Sequence, residues 1–150
     1  MTANNKQLET LLKFEQRKEE QAANALRNAE HDYQQNIIRL QSVSDYRLEY
    51  MSRLSERTAL GLDSATYSHY HAFISKLDYA SEQVKIAMQQ AKALVEQSKQ
   101  LWIKQRRKVQ AVEMLTDKRN IALMKIESKK EQSMFDEIAT QQFLRRKSHY

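Results

Sequence analysis

The chain has 150 residues with no Pro, no Cys and a single Gly, which leaves no room for a turn-rich sheet, a disulfide framework or a thiolate site. Apolar residues make up 41% of it and charged residues 29%, too polar for a layered compact core and too rich in Leu, Tyr and Met for disorder, so helix remains. The formal net charge of +6 belongs to the last third: residues 1–101 hold 13 Lys/Arg and 13 Asp/Glu, and residues 102–150 hold 12 and 6.

The chain opens on the polar run Met1 to Lys6 with no apolar stretch behind it, so no targeting segment is expected. Apolar runs such as Leu101-Trp102-Ile103 are too short to span a bilayer, and a soluble protein is expected. The absence of Cys fits a reducing compartment.

The first helix is predicted over about residues 5–58. Steps of four and three from Leu8 reach Leu12, Glu15, Glu19, Ala22, Leu26, Ala29, Tyr33, Asn36, Leu40, Val43, Arg47, Tyr50 and Leu54, mostly apolar. Such spacing, sustained over many heptads, is the pattern of a coiled coil. The loop is predicted over about residues 59–64. Gly61 tolerates the left-handed backbone that ends a helix, and Asp63 or Ser64 is suited to cap the next. The second helix is predicted over about residues 65–145. Its walk from Tyr67 runs through Tyr70, Ile74, Leu77, Ser81, Val84, Met88, Ala91, Val95 and Ser98, then Trp102, Gln105, Val109, Val112, Thr116, Arg119, Leu123 and Ile126. A loop this short makes the helices antiparallel. The expected fold is therefore all-α: one coiled-coil hairpin of two long helices, the second longer.

Near the loop the apolar content exceeds one seam. Tyr46, Leu48 and Met51 lie off it before the turn, and Phe73, Tyr79 and Ala80 lie off it afterwards. Tyr46 and Tyr50 share a face, as do Phe73, Leu77 and Ala80. Two readings stand: an aromatic patch that docks another protein, or a locally thicker core.

Folding about Gly61 sets Leu54 near Tyr67 and Leu8 near residue 114, so the second helix is expected to lack a partner from about Asp117. That overhang still carries Leu123, Met124, Ile126, Met134, Phe135, Ile138, Phe143 and Leu144. A lone polar helix is marginal in water, so it is expected to order on binding. Its Lys125, Lys129, Lys130 and Arg145 to Lys147 suit an acidic partner.

No catalytic, cofactor-binding or metal-binding residues are expected, and the chain reads as no enzyme. Of the four histidines, His31, His69, His71 and His149, only His69 and His71 are close in sequence, and two apart on a helix their side chains diverge.

The ordered set Asp45-Tyr46-Arg47-Leu48-Glu49-Tyr50, Tyr70-His71-Ala72-Phe73-Ile74-Ser75-Lys76-Leu77, Glu127-Ser128-Lys129-Lys130 and Met134-Phe135-Asp136-Glu137-Ile138-Ala139 resembles the flagellar export protein FliJ family over nearly the whole chain. The single Gly between two long helices fits as well. The resemblance implies a stalk of the flagellar type III export apparatus, similar to the central-stalk coiled coil of rotary ATPases. It implies as partners a hexameric export ATPase, a transmembrane export gate and export chaperones. It also implies a cytoplasmic protein that reaches the inner face of the inner membrane only through those partners. Carried onto this sequence, the gate-binding residues are Tyr46, Tyr50, Phe73, Leu77 and Ala80. The residues toward the ATPase ring are Lys125, Lys129, Lys130, Phe135, Arg145 and Arg146. Asn36 and Arg47 depart from an apolar seam. The alternatives are a stalk of a virulence-type secretion system, a generic coiled-coil adaptor, or a basic nucleic-acid-binding coiled coil. No nucleic acid is expected, because Asp117, Glu127, Glu131, Asp136 and Glu137 interrupt the basic residues and would repel a phosphate backbone.

Overall fold

The computed structural model describes residues 2–148, with side chains from residue 4, so His149 lies outside the described residues. Two helices, α1 (Thr2–Ala59) and α2 (Ser64–Ser148), account for all but the turn between them. No strand occurs among the described residues.

The turn is built as its residues dictate. α1 ends in tight bonds: the Leu60 N–H donates to the Arg57 carbonyl and the Gly61 N–H to the Thr58 carbonyl, both at 3.2 Å. Gly61 then takes φ 88°, the left-handed conformation that a Cβ opposes. Asp63 caps α2: its carboxylate accepts from the Thr66 N–H at 3.3 Å, and its carbonyl accepts from the Tyr67 N–H at 3.1 Å. A Cβ at Gly61 would meet nothing within 4 Å, so only backbone strain opposes a side chain there. Gly61→Ala is expected to cost about 1–2 kcal/mol in chemical denaturation, and Gly61→Asn less, because Asn tolerates this region better. Hydrogen bonding by Thr66, from its side-chain hydroxyl foremost and its backbone N–H after that, holds the Asp63 carboxyl below the ordinary aspartate value. A depressed carboxyl stabilises the fold above its unfolded pKa, and that contribution is lost as pH falls through the folded value. An acid titration of Asp63→Asn should lack this loss.

The chain divides into two units, Lys18–Gln105 and Met1–Arg17 with Arg106–Tyr150. In the first, α1 and α2 run antiparallel from the turn, and the two heptad walks form the seam. Every walk position from Glu19 to Leu54 and from Tyr70 to Gln105 is buried or half-buried, while Tyr67 beside the turn is exposed. The most buried residues are small or branched: Ala29, Ile74, Ala91 and Ser98, with Asn36. A two-helix seam is one side chain deep, so large residues keep an edge in water.

The two polar departures in the seam have local solutions. Asn36 is only 4% exposed and donates to the Asp32 carbonyl one turn back, at 3.1 Å. Arg47 reaches across the pair to Asp78 on α2, and both side chains stay about half in water. No buried side-chain nitrogen or oxygen lacks a partner among the described residues.

In the second unit Leu8, Leu12 and Glu15 are half-buried on α1, while Val109 and Val112 are buried on α2. Half-burial continues through Thr116, Arg119 and Leu123. The expected loss of a partner from about Asp117 is therefore corrected: uninterrupted exposure begins at Met124 and lasts to Ser148. The physical reason is that α1 begins at Thr2, which carries the pairing about three residues further, and that side chains of α2 lean toward its N-terminus, so those just past the pairing lie back over it. α2 continues as helix through this stretch.

Candidate functional site

Two places carry apolar or charged groups beyond what the pairing of helices uses, one in each unit.

Beside the turn, Tyr50 occupies the seam and packs across it rather than on Tyr46. Its ring centroid lies 4.3 Å from that of Phe73 and 6.1 Å from that of Tyr70. Two guanidinium groups cover the cluster, Arg53 at 5.7 Å from the Tyr50 ring and Arg57 at 5.6 Å from the Tyr70 ring. Glu49 holds Arg53 at 2.7 Å. Sequence reading passed over both arginines, although Arg53 follows Tyr50 by three and Arg57 follows Arg53 by four. Of the five residues named for the gate, Tyr50, Phe73, Leu77 and Ala80 are half-buried, and Tyr46 is 57% exposed. Tyr79 and Leu48 add further exposed apolar surface. The place is thus a thickened core with an exposed edge at Tyr46, Leu48 and Tyr79.

In the other unit, α2 from Met124 to Ser148 is exposed on all sides. Met124, Met134, Phe135 and Ile138, with Leu123, fall within about 120° of arc at ~100° per residue. Phe135 is 70% exposed and, with Met134 and Ile138, lines a shallow groove closed by Glu131. Glu127 falls on the same arc. The six residues named for the ring do not share one face. Phe135 and Arg145 lie on the arc, Arg146 at its edge and Lys130 on its flank, while Lys125 and Lys129 lie on the far side. A helical projection of the sequence carries this signal, which a count of basic residues does not.

Among the described residues no group of three or more His, Cys, Asp or Glu could hold a metal ion. No described helix is long and apolar enough to cross a membrane. What these two places offer is contact surface: the class of protein they define is a coiled-coil hairpin with unpaired apolar and charged groups in each unit.

Comparison with known proteins agrees. The model of the family described as "Flagellar FliJ protein" matches residues 4–148. The chain is 28% identical over 139 residues to the Flagellar FliJ protein of Salmonella typhi, covering 93% of this chain and 95% of that one. It is 26% identical over 139 residues, with the same coverage, to the Flagellar FliJ protein of Escherichia coli strain K12. The chain belongs to the FliJ family and is a flagellar export protein.

Proposed function

We propose that this protein is the stalk of the flagellar type III export apparatus. In this reading it joins the hexameric export ATPase to the transmembrane export gate, also binds export chaperones, and catalyses nothing itself. It works at the cytoplasmic face of the inner membrane and reaches the membrane only through its partners. The observation that carries the reading is the helix from Met124 to Ser148, exposed on every side with large apolar residues still on it. A helix docked on a flat surface needs one sticky face. A helix surrounded by a ring meets partner groups at every azimuth, which suits basic residues spread around it. The exposed Tyr46, with the half-buried Tyr50, Phe73, Leu77 and Ala80 behind it, is the surface this reading offers to the gate. A stalk acts by contacting some ring arrangements better than others, and this requires contacts that differ between those states.

Binding of the full chain to the purified ATPase hexamer tests this reading. Met134→Gln/Phe135→Gln/Ile138→Gln should weaken it about tenfold or more, and Lys125→Gln/Lys129→Gln should weaken it less and reduce its salt dependence. Undiminished binding of both variants would remove the tail from the ATPase interface. Binding of DNA fragments that falls steeply with salt, with none of the ATPase, would favour the nucleic-acid reading instead.

A further inference from the structure

A helix packed against one neighbour needs apolar residues at two heptad positions, and a third apolar position widens the stripe beyond what one partner covers. In the Lys18–Gln105 unit, with Ile74 taken as heptad position a, the preceding position g reads Phe73, Ala80, Ala87, Leu94 and Leu101. The flank across the seam, position e, reads His71, Asp78, Lys85, Lys92 and Lys99. One flank of α2 is apolar at every heptad and the other is polar at every heptad. Phe73, Ala80 and Ala87 are half-buried, but Leu94 is 48% exposed and Leu101 57%. Packing on α1 therefore leaves the apolar flank only partly covered.

A second row runs alongside. Position c reads Lys76, Gln83, Gln90, Gln97 and Lys104, five N–H donors seven residues apart with no carboxylate among them. In an antiparallel pair the g flanks of the two helices face each other. The g flank of α1 offers Ala25, Asp32, Arg39, Tyr46 and Arg53, with Asp32 its one carboxylate in that set.

We infer that this flank of the hairpin receives a third α-helix, supplied by another protein, with apolar residues at heptad spacing and carboxylates beside them. The apolar row is its floor and the donor row its rim. The chain's own overhang suits the rim poorly, because residues 124–148 hold six Lys/Arg against four Asp/Glu. A second copy seated on the same flank would set the cationic Lys76 and Lys104 against their own like charges. The inference goes beyond the stalk reading, which uses Phe73 and Ala80 beside the turn and gives Leu94 and Leu101 no role. Its failure would leave that reading standing.

The test uses the full chain and two synthetic helical peptides of about four heptads. They share the same Leu rows and differ only in carrying Glu or Lys on the flanks. Fluorescence anisotropy should give the Glu peptide at least about tenfold tighter binding, with shifts at the Leu94 and Leu101 methyl signals. Leu94→Gln/Leu101→Gln should reduce that binding about tenfold, with the melting temperature nearly unchanged because both side chains are largely exposed. Equal binding of the two peptides, or binding indifferent to the double variant, overturns the proposal. So does sedimentation showing a homodimer that the double variant dissolves. So does a change in the Leu94 and Leu101 signals when the overhang is truncated without peptide, which would make the chain its own occupant.

Discussion

Phe73→Ala and Tyr50→Ala are each expected to destabilise the hairpin by about 2–3 kcal/mol, and Tyr46→Ala by under about 0.5 kcal/mol. The two expensive side chains form the ring pair at 4.3 Å, whereas Tyr46 is 57% exposed. Full burial of a Phe is worth about 3–5 kcal/mol on truncation, and half-burial scales that down. The ring contact adds a coupling of about 1 kcal/mol, which a double-mutant cycle of Tyr50 and Phe73 should recover. Losses under about 1 kcal/mol for both would mean that the rings do not hold the helices together. One practical consequence concerns the gate. A binding defect of Phe73→Ala mixes lost contact with lost stability, whereas Tyr46→Ala reports on docking alone.

Removal of residues 124–150 should separate folding from function even more sharply. Among its described residues none is buried or half-buried, so the melting temperature of the remaining hairpin should stay nearly unchanged. Binding to the ATPase hexamer should fall by about two orders of magnitude or more, through loss of the apolar arc and six basic residues. A truncated chain that melts well below the full one would show that the overhang folds back on the hairpin. One that binds the ATPase undiminished would place that interface elsewhere.

The fold was legible in the sequence because one physical pattern repeats without interruption. Seven-residue spacing pins the seam so firmly that Asn36 and Arg47, which break its apolar character, still lie within it. The turn was legible for a related reason: Gly61 is the one residue whose backbone freedom the chain needs. The end of the pairing was less so, since it depends on where α1 begins, and helix starts without a strong cap are weakly written. Candidate docking residues were harder still. Tyr46 and Tyr50 look alike as an i,i+4 pair, yet only the seam position of Tyr50 carries it across to Phe73. Lys129 and Ile138 look alike as members of one tail, yet at ~100° per residue helical geometry turns them to opposite sides. The uncovered flank at Leu94 and Leu101 was present in the same heptad walk, one position before the seam.

Hydrogen exchange of the full chain, alone and with the purified ATPase hexamer, tests the central claim most directly. A solvated helix outside the pairing has little to hold it closed, so amides from Met124 to Ser148 should exchange fast in the free protein, while those around Ala29, Ile74, Ala91 and Val112 exchange slowly. On addition of the ATPase, protection should spread through the 124–148 stretch, with less of it at high salt. An overhang already protected when the protein is free, or one that gains protection with nucleic acid and none with the ATPase, would contradict the stalk account.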